Sequence, residues 1–96
     1  MRTLDFKKFR TPEHMSFAML IQLEGKQTRS NRVTAVCPRP ACKAFGKRLL
    51  CWDPKWPVAY CHGCHQVIDA LDIVRIDTGK DYYRSSEILE SSTVGN

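Results

Sequence analysis

Two pairs of cysteines constrain this chain more than any other feature of its sequence. Four residues separate Cys37 from Cys42, two separate Cys61 from Cys64, and 18 residues lie between the pairs. Two tight turns that each present two thiolates are an economical way to surround a tetrahedral Zn²⁺, and this separation is typical of a structural site. The spacing therefore predicts one structural zinc ion held by Cys37, Cys42, Cys61 and Cys64.

Other ligands and other chemistries compete with this set. Cys51, His62 or His65 could replace a member, above all Cys42, because its C-x4-C pair is wider than the usual C-x2-C. The second pair also matches the C-x-x-C-H haem-attachment motif, but that reaction needs export, and the N-terminus lacks the apolar core of an export signal. A redox pair would need the βαβ pattern of thioredoxin-like proteins, which the sequence does not show.

Composition limits the class of protein. With 96 residues the chain is expected to form a single domain with a modest core, which a bound metal would supplement. No apolar run approaches the ~18 residues of a membrane span. We therefore expect a cytoplasmic protein without membrane contact, whose cysteines stay reduced and serve as metal ligands.

Local signals around the cysteines predict an α+β fold. Thr11 and Pro12 indicate the start of a helix that would end near Gly25. The segments 32–36, 47–52 and 58–60 have the composition of strands. Asp69 indicates the cap of a C-terminal helix that Thr78-Gly79-Lys80 would end. We predict a small α+β zinc ribbon, a short antiparallel β-sheet with two zinc knuckles, flanked by an N-terminal helix and short C-terminal helices.

The predicted domain covers residues 1–96 and has four parts. These are a basic arm (1–11), a ribbon core (32–68), C-terminal helices (69–90) and a frayed tail (91–96). A second helix of the C-terminal part is expected to include Tyr82, Tyr83, Ile88 and Leu89, with Ser85 or Ser86 near its start.

Positive charge is concentrated around the cysteines. Residues 26–60 contain eight basic residues and one acidic residue, whereas residues 61–96 contain three basic and six acidic residues. Aromatic side chains alternate with these cations, as in proteins that stack bases and neutralise phosphates of single strands. The predicted nucleic-acid contacts are Arg39, Lys43, Lys47, Arg48, Trp52, Lys55, Trp56 and Tyr60, and Trp56 between its prolines is the preferred stacking residue.

The order of these parts resembles the zinc-binding domain of bacterial and phage DNA primases, the type with three cysteine ligands and one histidine. The matching segments are 36–38 (Val-Cys-Pro), 60–64 (Tyr-Cys-His-Gly-Cys) and 69–74 (Asp-Ala-Leu-Asp-Ile-Val), with Gly79 and 87–89 in a second terminal helix. The similarity covers roughly residues 12–90. It implies a domain that contacts single-stranded template DNA.

The chain departs from that family at three points. Its first pair has a cysteine at position 42 in place of a closely spaced histidine, and His65-Gln66-Val67 replaces the glycines after the second knuckle. It also ends where a primase would continue into its polymerising domain, so no acidic cluster is expected to position magnesium and nucleotides. We therefore expect a non-catalytic accessory or regulatory module without a small-molecule substrate.

Two partner classes follow from these features. The first is nucleic acid, with single-stranded DNA favoured. The second is protein: a phage- or plasmid-type module that docks on a host polymerase or nuclease and regulates it, since zinc ribbons serve both purposes. An enzyme is the least expected class, because four thiolates leave zinc no open position for water or substrate.

Overall fold

Residues 6–93 are described by a computed structural model of the protein, and the statements below concern this part of the chain. The elements are, in chain order, a 3₁₀ turn (Phe6–Phe9), α1 (Pro12–Ser16), a π-helical segment (Phe17–Gln22), β1 (Lys26–Gln27), β2 (Val33–Ala35), α2 (Pro40–Lys43), β3 (Leu50–Trp52), β4 (Ala59–Cys61), β5 (Gln66–Ile68), α3 (Ala70–Thr78) and α4 (Tyr82–Thr93). The prediction of an α+β fold with a short antiparallel sheet is confirmed.

The N-terminal helix begins where the sequence predicts. The Thr11 hydroxyl accepts a hydrogen bond from the His14 backbone N–H (3.2 Å), and Pro12 is the first helical residue. From Phe17 the helix widens into the π-helical segment, which the sequence did not predict. Gly25 follows its end, and a Cβ there would lie 2.6 Å from the Met19 carbonyl oxygen. Gly25 therefore lets the chain pass close to the helix it has just left.

The five strands form one antiparallel sheet in chain order, β1 to β5. On one face, the strands contribute buried side chains to a continuous core with the helices, and these are Val33, Ala35, Leu50, Trp52, Ala59, Cys61 and Ile68. Alternation along the strands places the residues between them on the opposite face. β1 and β5 were not predicted, because each pairs through only two or three residues.

A single row of paired residues crosses the opposite face of the sheet. The register aligns Lys26 with Thr34, Thr34 with Cys51, Cys51 with Tyr60, and Tyr60 with Val67. All five side chains are half-buried or exposed. We call this row the open face.

The C-terminal helices pack on the other side of the core. The Asp69 carboxylate accepts a hydrogen bond from the Asp72 backbone N–H (2.9 Å), and Gly79 (φ 74°) ends α3 in the left-handed conformation. Both signals were predicted. Helix α4 contains the residues predicted for it and begins at Tyr82, where the Asp81 carboxylate accepts a hydrogen bond from the Arg84 N–H (2.8 Å).

The two predicted terminal segments are only partly described. Helix α4 continues to Thr93, into the segment 91–96 that was predicted to be frayed, and residues 94–96 lie outside the described range. Residues 1–5 of the predicted basic arm also lie outside it. Among residues 6–93, no helix has the length and apolar character needed to cross a membrane.

Candidate metal centre

Four cysteine sulphurs meet at one end of the sheet. The Sγ atoms of Cys37, Cys42, Cys61 and Cys64 lie within 4.8 Å of one another, and Cys42 Sγ is 3.8 Å from Cys61 Sγ. Zn–S bonds of about 2.3 Å in a tetrahedron hold sulphurs about 3.8 Å apart. The cluster has the ligand number and spacing of a structural metal site, and it consists of the four cysteines that the sequence predicted.

Each ligand comes from a different element. Cys37 follows β2, Cys42 lies on the short helix α2, Cys61 ends β4, and Cys64 lies in the turn before β5. Pro40 begins α2, so the last two of the four residues between the first two cysteines already belong to a helical turn, which includes Cys42 itself and brings it back toward Cys37. This turn accommodates the wide C-x4-C spacing.

The second turn is shaped to fit against the sulphurs. A Cβ on Gly63 would lie 2.9 Å from the Leu49 side chain and 3.2 Å from Cys42 Sγ, so only glycine fits there without displacement. The Gly63 N–H donates to Cys61 Sγ (3.3 Å), and His65 closes the turn with a φ of 57°. The C-x-x-C segment thus connects two paired strands, unlike a thioredoxin-type pair at the start of a helix.

Without a cation the thiols of Cys42 and Cys37 resist ionisation. Burial, together with hydrogen bonds to Cys61 and Cys64, raises the pKa of Cys42 to about 12, and burial also raises the pKa of Cys37. Burial opposes ionisation of Cys61 too, but the backbone N–H groups of Cys64 and Gly63 outweigh it and lower the pKa of the Cys61 thiol. A bound divalent cation would replace the protons and offset the repulsion between thiolates.

Arg39 adds a positive charge beside the sulphurs. Its guanidinium nitrogens lie 3.5 Å from Cys64 Sγ, 3.9 Å from Cys37 Sγ and 3.4 Å from the Val67 carbonyl oxygen. Burial works against this charge, but the nearby Cys64 and Cys37 sulphurs outweigh it and raise the pKa of Arg39. Predicted as a nucleic-acid contact, Arg39 lies where it can neutralise part of the charge of a tetrathiolate centre.

The alternative ligands lie outside the cluster. Cys51 is in the middle of the open face, paired with Thr34 and Tyr60. His62 is exposed and packs edge-on against the Tyr60 ring at 5.0 Å, and His65 Nδ1 is 3.1 Å from the Tyr60 hydroxyl. These two imidazoles hold the Tyr60 ring in place on the open face.

The structure separates the other predicted nucleic-acid contacts into three places. Trp52 lies in the core, 3% exposed, and its Nε1–H donates to the Trp56 carbonyl oxygen (2.7 Å). Trp56 and Lys55 lie in the turn between β3 and β4, and the Trp56 ring, 39% exposed, contacts the Arg32 guanidinium. The remaining residues lie on the surface outside this turn: Lys43 ends α2, Lys47 and Arg48 are exposed in the loop after it, and Tyr60 is half-buried on the open face.

The sequence prediction did not include several residues at these places. Arg32 lies two residues before Thr34 and therefore on the same side of the sheet as the open face. Lys26 ends the row. Phe45, one of the aromatic residues that alternate with the cations in the sequence, is 70% exposed in the loop after α2. The high share of basic residues in 26–60 indicated that Arg32 and Lys26 belong to the basic surface. Their position beside the open face depends on the pairing of β1 with β2, which could not be predicted because β1 has only two residues.

Comparison of the chain with protein-family models, with curated proteins and with solved structures gave no match. The resemblance to primase zinc-binding domains therefore stays a prediction that rests on the short segments given above.

Proposed function

We propose that the four cysteines hold one structural Zn²⁺. Thiolates are soft ligands that suit zinc, and the 3.8 Å separation of two sulphurs equals the edge of a zinc tetrathiolate tetrahedron. Four protein ligands fill the tetrahedron, so the ion would stabilise the fold and leave no position for a substrate. Covalent haem attachment would withdraw Cys61 and Cys64 from a cluster in which two further cysteines lie within 4.8 Å.

We further propose that the protein binds single-stranded DNA as a non-catalytic, primase-like accessory module. The observation that carries this proposal is the charged and aromatic character of the open face. Tyr60, next to the central Cys51, has its ring held by two imidazoles, and Lys26 ends the row. Arg48 donates to the Thr34 carbonyl oxygen (3.3 Å), which places its charge beside the same row.

This arrangement matches the requirements of a single strand. Aromatic faces stack on unpaired bases for about 1–3 kcal/mol per base, and cations beside them neutralise phosphates. A second aromatic–cation pair, Trp56 with Arg32, lies at the opposite end of β3 from the cysteines. A DNA single strand that crossed the sheet from the four cysteines to the Trp56–Arg32 pair would meet cations at both ends and the Tyr60 ring between them.

Binding of a fluorescent single-stranded oligonucleotide tests this proposal. We expect wild-type affinity to fall steeply with salt, and Arg48→Gln to reduce the slope of log K against log salt by about 0.7. Tyr60→Leu should weaken binding about 5- to 100-fold, whereas Tyr60→Phe, which keeps the ring, should bind like wild type.

Lys80→Gln is the matched control for charge, because Lys80 is exposed between α3 and α4, away from the sheet. Its slope should equal that of wild type. Salt-independent binding, or equal slopes for Arg48→Gln and wild type, would contradict the proposed interface. Retention of a partner from nuclease-treated lysate, without oligonucleotide binding, would favour the protein-interaction alternative.

Arg39 gives a separate prediction about the metal centre. Groups that contact metal ligands from outside commonly change metal affinity 10- to 100-fold. We expect Arg39→Gln to lower zinc affinity by about that factor, since the guanidinium would no longer offset the charge of the four thiolates. Competition with a chromophoric chelator measures the change. Arg29→Gln, in the exposed loop before β2, should leave the affinity unchanged.

A further inference from the structure

The last residue of α2 and the loop that follows it combine an exposed aromatic ring with three cations. We call residues 43–48 (Lys-Ala-Phe-Gly-Lys-Arg) the knuckle loop. Phe45 is 70% exposed, the largest exposed fraction among the large apolar side chains of the described chain. The loop contains no acidic residue, and neither Lys43 nor Lys47 forms an ion pair within residues 6–93.

The knuckle loop is held at both ends. The Phe45 N–H donates to the Cys42 carbonyl oxygen (3.1 Å) and the Gly46 N–H to the Lys43 carbonyl oxygen (3.0 Å), so the chain continues the turn of α2. Gly46 then adopts a φ of 67°, a conformation that favours glycine. At the other end Leu49 packs against the core. The Phe45 ring is therefore carried on a short, hydrogen-bonded turn that begins at a candidate metal ligand.

We infer that the knuckle loop stacks Phe45 on an unpaired base while Lys43 and Lys47 contact the neighbouring phosphates. This inference rests on the proposed binding of single-stranded DNA and adds a second contact site to the open face. An exposed aromatic ring between cations is the arrangement that sequence-tolerant single-strand binders use, because every base has a face on which a ring can stack.

The same loop chemistry could meet an anionic membrane surface, but the observations favour nucleic acid. One phenylalanine buries little apolar area, and even a complete myristoyl chain gives only marginal membrane binding. One aromatic ring, by contrast, supplies a large share of the binding free energy of a single stacked base.

Phe45→Ala tests the inference in the full-length, metal-loaded protein. We expect its affinity for an oligothymidine to fall about 5- to 100-fold with the salt slope of wild type, because the lost ring carries no charge. Phe45→Trp should bind at least as well as wild type. Lys47→Gln should reduce the salt slope by about 0.7. Ile21→Ala removes an apolar side chain that is 66% exposed on the helical side, and it should bind like wild type.

The outcomes separate this inference from the proposed function. If wild type binds the oligonucleotide and Phe45→Ala binds equally well, the knuckle loop is not a contact site, while the open face stands. If wild type does not bind, both proposals fail. Vesicles of phosphatidylcholine with one-third phosphatidylserine supply the remaining comparison. If Phe45→Ala weakens binding to these vesicles but does not weaken binding to the oligonucleotide, the inference is overturned in favour of a membrane surface.

Discussion

Replacement of Cys61 by Ser is expected to abolish binding of the proposed zinc ion and to unfold the end of the sheet that carries the four cysteines. Cys61 is fully buried, ends β4 and pairs with both Leu50 and Gln66, so its sulphur joins the metal centre to the middle of the sheet. Structural zinc contributes about 10–16 kcal/mol in small zinc-binding peptides, which is comparable with the whole stability of an ordinary domain, about 5–15 kcal/mol. Zinc content and thermal unfolding followed by circular dichroism measure the effect.

The fifth cysteine provides the matched control. Cys51 lies on β3 in the same sheet, half-buried on the open face and outside the cluster. Cys51→Ser should keep one zinc per chain and unfold within a few degrees of wild type, on the order of 1 kcal/mol or less. Chelation of wild-type protein should reproduce the Cys61→Ser result. A Cys61→Ser protein that retained stoichiometric zinc and its melting temperature would contradict the assignment of the metal centre.

The four cysteines could be predicted because ligand spacing is a local property. The helical turn that places Cys42 in the cluster could not be predicted. The wide C-x4-C pair made Cys42 the least certain ligand, and its explanation is α2, a four-residue helix that begins at Pro40. So short a helix has no amphipathic pattern in the sequence. The contact of Arg39 with Cys64 also depends on how the first and second turns approach each other, which no local signal encodes.

Helix ends were predictable where capping is local. The Thr11 and Asp69 caps and the Gly79 stop each depend on residues within four positions. Helix α4 contains the residues predicted for it, but its capping residue, Asp81, was not identified, and Ser85 and Ser86, which were expected near its start, are buried in the helix interior. The π-helical segment was missed because its apolar residues fit an ordinary helical stripe.

Burial of the aromatic residues was only partly predictable. Trp52, predicted as a nucleic-acid contact, lies two residues after Leu50 in the same strand, and both side chains are buried on the core face. Trp56 lies in a turn, where no periodicity applies, and its contact with Arg32 depends on the pairing of β2 with β3. The sequence therefore locates the basic and aromatic residues as a group, but only the sheet register distinguishes its surface members from its core members.

The N-terminal segment shows the same limit more strongly. It was predicted as a basic arm, yet Lys8 pairs with Glu90 on α4 (2.9 Å) and Arg10 with Asp69 at the start of α3 (3.1 Å). Between them, Phe9 is fully buried and meets His14 edge-on, with ring centroids 5.2 Å apart. These basic side chains form ion pairs with acidic residues of the C-terminal helices, so this part of the predicted arm packs against those helices.

Phe9→Ala is accordingly expected to destabilise the protein by about 3–5 kcal/mol, because it removes a buried ring and leaves a cavity beneath α3 and α4. In a domain of this size such a loss lowers the melting temperature by more than about 10 °C. Phe45→Ala is the matched control: the chemical change is identical, but the ring is 70% exposed, and the expected effect is within about 0.5 kcal/mol. Thermal or urea unfolding of the two variants side by side gives the comparison. Equal stabilities of the two variants would mean that Phe9 does not belong to the core, and would support the prediction from the sequence that this segment is a free basic arm. A large effect for Phe9 alone would also show that Phe45 contributes little to folding, which makes any loss of oligonucleotide binding by Phe45→Ala attributable to the contact itself.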